Sequence, residues 1–313
     1  MDNCPCYCNA SIYSTTRSGS KLFIIVALLA VNCASAPVFS QSDAFRSEIN
    51  IKPWHLLVNE LKEGNRRSKW IDREPYAYWK GNPFVAETRR DLLTCNVSQE
   101  NDWNARLFIQ DWNQESRKGF KRSGLASQCT YRCKIYIEGW AWSVSEKYIL
   151  ACNSLSLLVK TRYHDFFTRG LEPLKHYWPI RDQGKCRSIK FAVDWANNHT
   201  NEAAAIGRAG SDYVMNDVKM DYIYDYMYHL LSEYAKLQRF EPQVPDGAVE
   251  VCSETMACDT TGMQREFMAQ SQVSRPSSSS PCRMPPPYES QVLAAIYKKN
   301  MDTLSQVEQW EEA

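Results

Sequence analysis

The 313-residue sequence carries almost no net charge, with 37 Lys and Arg against 36 Asp and Glu, a balance of +1. Without a basic excess there is no long-range field to draw in a polyanion, and nucleic acid is set aside as a partner. The sequence also lacks a Cys-x-x-Cys pair followed by a second pair at zinc spacing, so no metal site is expected. No internal repeat is visible. Long apolar runs are nearly missing as well, the exception being a stretch near the start.

What is present is enough for a globular core. Apolar residues make up 44% of the chain and aromatic ones 12%, which suits one large domain or two modest ones. The 10 Trp and 17 Tyr fit a stacking surface for sugars or nucleotides and fit an aromatic-packed core equally well. Twelve cysteines are many for a reducing compartment. Cys4, Cys6 and Cys8 cluster at the start, whereas Cys129, Cys133, Cys152, Cys186, Cys252, Cys258 and Cys282 are scattered. That distribution reads as some disulfides and some buried thiols, with the pairing open.

The one apolar run, residues 21–31, follows Arg17 and Lys21 and precedes Ala34, Ser35 and Ala36, the layout of a secretory signal peptide. Pro37 disfavours cleavage, and extension of the run to Phe39 approaches the roughly 18 residues that span a bilayer, so an uncleaved signal anchor through residues 22–39 is the alternative. Residues 1–20 then form a cytosolic tail or n-region and 21–40 the signal. Either reading sends the remainder to the secretory lumen, where Asn96 and Asn198 head acceptor sequons.

Periodicity predicts an α/β domain over residues 41–240. An amphipathic helix over 53–65 carries Trp54, Leu57, Val58 and Leu61 on one side, and strands are expected at 75–79, 106–110, 134–137, 155–159 and 175–180. Helices are expected over 85–95, 143–153, 188–197, 201–216 with a Thr200 cap, and 220–239. Residues 114–127 read as an exposed basic loop, and the Tyr222, Tyr226, Leu230, Tyr234 stripe reads as core. His164 and Asp165 suggest acid/base catalysis, but neighbours in sequence rarely face each other, so a structural role or one supporting a site is expected of them. A flexible Pro- and Ser-rich segment, 241–288, leads to a last helix over 289–313.

Strands alternating with helices imply a parallel sheet whose ligand lies beyond the carboxyl ends of the strands. Two turns fall there, Gly81 with Asn82 and the stretch from Gly139 to Ser145. In the second, Ser143 and Glu146 have capping-box spacing, which would aim free N–H groups outward and suit a phosphate; an ordinary capped turn is the plainer alternative.

Five segments carry a family resemblance: PYAYWKGN at 75–82, KIYIEGWAWSVSEKY at 134–148, DFF at 165–167 with RG at 169–170, HYWPI at 176–180 and KMDY at 219–222. From about Glu48 to Phe240 the chain resembles the C-terminal part of the Rumi-like protein O-glucosyltransferases, a family also named for capsule-associated, lipopolysaccharide-modifying and xylosyltransferase enzymes, with the plant-type branch nearest. The resemblance implies the donor-binding half of a GT-B fold, with C-terminal helices, and transfer from UDP-glucose or UDP-xylose to a protein or glycan in the Golgi or endoplasmic reticulum. It implies no cofactor and no metal, the UDP-sugar being a substrate. It implies donor contacts at Gly81, Asn82 and Gly139, and a diphosphate at Ser143, Val144, Ser145 and Lys147. Animal members carry Arg where this chain has Ser145, and Cys133 stands where an aromatic residue is usual. The family's general base is an Asp in an N-terminal domain. Only Asp43 stands near that position here, outside any matching context, so the catalytic residue is left unknown and the match is read as N-terminally truncated. A catalytically inactive nucleotide-sugar-binding or partner-binding protein is the alternative function.

Overall fold

The computed structural model describes residues 51–243, 260–262, 264–266 and 280–313. The signal stretch at 21–40 and much of the 241–288 segment lie outside the described residues. The chain divides into two compact units, Leu57–Lys219 with Pro286–Ala313, and Met1–Leu56 with Met220–Pro285.

The first unit is built on β1 (Glu74–Gly81), β2 (Ala105–Ile109), β3 (Tyr131–Tyr136), β4 (Leu155–Val159) and β5 (Trp178–Ile180). They form one sheet in the order β2-β1-β3-β4-β5, every neighbouring pair parallel. This is the expected Rossmann-like α/β fold. All five carboxyl ends lie along one edge, and the winding direction reverses between β1 and β3, which opens a crevice there. β5 is an edge strand, so Pro179 inside it removes no ladder bond on its open side.

Helices α1 (Trp54–Arg67), α2 (Glu87–Leu92), α3 (Trp112–Arg117), α4 (Ser145–Leu150), α5 (Lys185–Asn198) and α6 (Thr200–Asp212) connect or cover these strands. On one side of the sheet Ala77, Trp79, Cys133, Ile135, Leu155, Leu157, Trp178 and Ile180 are buried against Ile189, Ala192, Val193 and Ala196 of α5. The last helix, α8 (Ser290–Glu312), adds Val307 to this core, and its Trp310 ring lies 6.2 Å from that of Trp178. Arg181 fixes the end of α8 through Glu311 at 2.7 Å and Glu312 at 3.1 Å.

The opposite side is polar although buried. Register puts Tyr78, Lys134 and Ser156 in one row across β1, β3 and β4. Lys134 is 2% exposed, its Nζ 3.3 Å from Cys152 Sγ and 5.6 Å from the Tyr78 ring centroid. Burial, with a smaller contribution from Arg73, lowers its pKa to about 7. Among the described residues the bridges are Cys95–Cys186 and Cys129–Cys152, a pairing that sequence left open; Cys133 is a buried thiol and Cys282 an exposed one.

Three expectations change. The basic stretch 114–127 is not a simple loop. It begins inside α3, whose cap Asp111 accepts from the Gln114 N–H at 3.0 Å, and it buries Glu115, Phe120 and Leu125 while its Lys and Arg stay outside. Helix α6 stops at Asp212, followed by a π-turn over Tyr213–Asp217, and Thr200 lies inside the helix and does not cap it. In the second unit, α7 (Met220–Leu237) has the expected helical period, but Tyr222, Tyr226, Leu230 and Tyr234 are 40–54% exposed and Leu231 is its buried residue. Periodicity defined a face there without defining what covers it.

Candidate functional site at the sheet crevice

The crevice is flanked by the chain leaving β1 and the chain leaving β3. At the end of β1, a Cβ on Gly81 would stand 2.7 Å from Trp79 Cζ2, so a side chain here would displace the indole. Asn82 uses its side chain locally: Oδ1 accepts from the Phe84 N–H at 2.9 Å and caps the 3-10 turn Pro83–Val85. What Asn82 offers the crevice is backbone. Phe84 stands out from this turn, 72% exposed.

After β3 come Ile137, Glu138 and Gly139. The buried Glu138 carboxylate accepts backbone N–H groups of Arg162 at 2.8 Å and Tyr163 at 3.2 Å, and Arg162 Nε at 3.1 Å, which ties the β3 exit to the β4 exit. Trp140, next to Gly139, is 86% exposed. Arg89 of α2 joins the two sides of the crevice. Its Nε donates to Glu138 O at 3.0 Å, Nη2 to Ile137 O at 3.2 Å and Nη1 to Asn82 O at 3.4 Å. A Cβ on Gly139 would lie 3.5 Å from Arg89 Nη2, in ordinary contact, so this glycine leaves room above the guanidinium without being sterically required.

The turn into α4 does not form the expected capping box. The Ser143 N–H, which Glu146 would have to accept, is taken by the buried Tyr136 hydroxyl at 3.0 Å. The Ser143 and Ser145 hydroxyls pair with each other at 3.0 Å. Val144 occupies the cap position in helical conformation without a side-chain bond, and the expected 143–153 helix contracts to the six residues of α4. Glu146 is instead 1% exposed, its Oε2 accepting from the Thr168 hydroxyl at 3.2 Å and its Oε1 unpartnered.

Three ionisable groups gather at this turn. Burial, then the Asp165 charge, raises Glu146 to about 8. Asp165 is raised to about 6 by burial, against its own backbone bond from the Phe166 N–H and the nearby Lys147 charge. Lys147 is lowered to about 8 by burial, with Asp165 holding it up. At neutral pH, then, Glu146 is a neutral acid, while Asp165 and Lys147 keep opposite charges. His164, beside Asp165 in sequence, is exposed, so these neighbours part as expected.

Of the seven sequence-predicted residues, Gly81 and Asn82 lie where the chain leaves β1, and Gly139, Ser143, Val144, Ser145 and Lys147 lie on the stretch that leaves β3 and enters α4. Sequence reasoning missed Arg89 and Glu138, and read Glu146 only as a capping-box partner. Arg89 lies within a run expected only to be helical, and nothing local marks it; its place follows from parallel pairing of β1 with β3. Among the described residues no three His, Cys, Asp or Glu side chains converge to hold a metal ion. A concavity of about 590 Å³ lies elsewhere, along α8, where Lys298 pairs with Asp302 and Lys299 with Glu172, so no unanswered lysine charge faces it.

Residues 37–311 match the family model described as glycosyl transferase family 90. The chain belongs to glycosyl transferase family 90. It is similar to "Protein O-glucosyltransferase 3" of Homo sapiens, 27% identical over 199 residues that cover 61% of this chain and 38% of that protein. "Protein O-glucosyltransferase 1" of Bos taurus is 24% identical over 192 residues, 58% and 47% of the two chains. The "O-glucosyltransferase rumi homolog" of Aedes aegypti is 24% identical over 207 residues, 63% and 50%. The chain thus spans half or less of the length of these relatives, and both sides of the crevice fall inside the family 90 match.

Proposed function

We propose that the chain supplies the nucleotide-sugar side of a GT-B glycosyltransferase that moves glucose or xylose from UDP-glucose or UDP-xylose to a hydroxyl of a protein or glycan. The observation that carries this reading is the crevice between β1 and β3, a site type at which parallel sheets bind nucleotides, bordered by loops that lie within the family match. In this reading Gly81, Asn82 and Gly139 meet the nucleotide through backbone, and Ser143, Val144, Ser145 and Lys147 line the diphosphate.

The chemistry is a displacement at the anomeric carbon. The acceptor oxygen bonds to that carbon, the carbon–oxygen bond to UDP breaks, and the electron pair leaves with UDP. The hydroxyl proton passes to a general base that this reading assigns to no residue of the chain. The charge that builds on UDP needs electrostatic stabilisation, which Lys147 offers, and the neutral Glu146 beneath the turn does not oppose it.

We also propose a secretory location, in the Golgi or endoplasmic reticulum lumen, either free or behind a single-pass type II anchor. Two disulfides support an oxidising compartment. Asn198 is exposed, and Asn96 uses only its Oδ1, which accepts from the Leu107 N–H at 3.0 Å, so both sequons remain candidates for glycosylation. Among the described residues no helix is long and apolar enough to cross a membrane.

UDP binding by calorimetry and release of UDP from UDP-glucose or UDP-xylose with an acceptor peptide test the reading separately. A chain that binds UDP and turns over either sugar supports it in full. Failure to bind UDP overturns it.

A further inference from the structure

Two buried cations stand at Cys152, and among the described residues no carboxylate pairs with either. Lys134 Nζ donates to Cys152 Sγ at 3.3 Å and lies 5.6 Å from the Tyr78 ring centroid. Arg73, 3% exposed, gives its donors to neutral acceptors: Ser68 O, Asn65 Oδ1, Ser154 Oγ and, at 2.6 Å, Cys152 O. Burial lowers the pKa of both cations, and Arg73 adds to the effect on Lys134. Holding such charges in the interior is costly unless an anion joins them.

The Cys95–Cys186 bridge offers the contrast. Cys186 Sγ lies 3.6 Å from the neutral Thr94 hydroxyl, and Lys185, next to it in sequence, is paired with Asp91 and Asp182. No cation there waits for a sulfur. At Cys152 the intact disulfide is neutral and gives Lys134 only a weak acceptor, whereas a thiolate at the same sulfur would be the missing anion, already within reach of Nζ. The Arg73 bond to Cys152 O holds that backbone in place, so such a pair needs little rearrangement to form.

We propose that Cys129–Cys152 is a reversible redox pair that exchanges with a dithiol, and that Lys134 holds Cys152 as the thiolate in the reduced state. A thiolate of the dithiol attacks Cys129 Sγ, a mixed disulfide forms, and the bond between the two cysteines breaks with its electron pair leaving on Cys152. The second thiol of the reductant then closes on its own first sulfur and releases Cys129. The dithiol is oxidised to a cyclic disulfide by two electrons and the bridge is reduced. The two thiol protons end on Cys129 Sγ and Lys134 Nζ, or in solvent where Nζ already carries one. A leaving thiolate stabilised by a cation makes the bridge easier to reduce. Both cysteines are buried, so attack follows a local opening. Cys152 trails α4 and Cys129 precedes β3, so reduction removes a covalent tie between the sheet and the helix that carries Lys147.

Equilibration of the full chain in dithiothreitol redox buffers, then acid quenching, alkylation and peptide mass spectrometry, reads each bridge separately in wild type and K134M. In wild type, Cys129–Cys152 is expected to open at a ratio of reduced to oxidised dithiothreitol about tenfold lower than Cys95–Cys186 requires. K134M is expected to lower the reduction equilibrium constant of Cys129–Cys152 by about tenfold, which is about 30 mV for a two-electron couple, and to leave that of Cys95–Cys186 unchanged within about twofold. Three results each overturn the proposal: a wild type in which Cys129–Cys152 is no easier to reduce than Cys95–Cys186, a K134M with the wild-type equilibrium, and a K134M that shifts both bridges alike, as a general change in stability would. Should circular dichroism find K134M unfolded, C129S carries the test. Near neutral pH its ultraviolet thiolate absorbance should exceed that of C129S/C152S, and equal absorbance would show Cys152 to be an ordinary buried thiol and overturn the pairing with Lys134.

Discussion

The two faces of the central sheet make opposite use of burial. Toward α5 the strands present Ala77, Cys133, Ile135, Leu155, Leu157 and Trp178, a dry layer with no charge in it. Away from α5 the same strands present Tyr78, Lys134, Tyr136 and Ser156, and the polar layer continues through the Tyr136 hydroxyl to Ser143 and through Glu146 to Asp165 and Lys147. The dry face supplies stability and the polar face spends some of it to hold shifted groups beside the crevice. Perturbed groups of this kind, sitting at a cleft, mark candidate function and not strength of folding.

The largest expected effect breaks the dry face. Trp178 is fully buried, with ring centroids 4.5 Å from Trp195 and 6.2 Å from Trp310. Trp178→Ala should cost about 3–5 kcal/mol in urea unfolding. A loss under about 1 kcal/mol would contradict the assignment of stability to this face.

Next come two substitutions that read the polar face by pH. Glu146 has a folded pKa raised to about 8, so its contribution is full below the unfolded value of 4.5 and is lost as pH rises through 8. The stability of Glu146→Gln relative to wild type should therefore grow between pH 5 and pH 8, on the order of 3 kcal/mol. Lys134 runs the other way: lowered to about 7, it favours folding above 10.5 and loses that contribution as pH falls through 7. Lys134→Met should gain more at pH 6 than at pH 10, by about 1–3 kcal/mol, read as a shift in the unfolding midpoint. Parallel pH slopes in the two variants would contradict one of the two opposite shifts assigned to the polar face.

Lys147→Ala sharpens the link from polar face to ligand. UDP affinity should fall by about 1–3 kcal/mol in calorimetry, and an unchanged dissociation constant would remove Lys147 from the site. The smallest effect serves as the control outside both faces. Tyr222→Ser, on an exposed position of α7, should change stability by less than about 0.5 kcal/mol in the same unfolding assay.

Legibility in the sequence followed how local each cause was. The β4 strand appeared at its observed bounds because five apolar residues in a row have few alternatives, and Gly81 and Gly139 marked strand exits because the chain must turn there. The Ser143 and Glu146 spacing misled, because a capping box competes with whatever else the partners can reach, and Tyr136 and Thr168 were nearer. The α7 tyrosines misled for a related reason, since a periodic stripe records a helix and says nothing of what lies against it. Arg89 was invisible: its three acceptors stand 7, 48 and 49 residues away.

Short-range chemistry in the sequence therefore determined the alternation of strand and helix, the parallel sheet this requires, and the two turns that border the crevice. Tertiary structure alone decided the order β2-β1-β3-β4-β5, the pairing of Cys95 with Cys186 and Cys129 with Cys152, and the neutral state of Glu146. Among the described residues it also left Arg89 bonded to carbonyls and to no carboxylate. The physical reason is common to all of them. Burial and charge pairing depend on which distant segments meet, and a residue's own neighbours in sequence do not fix that.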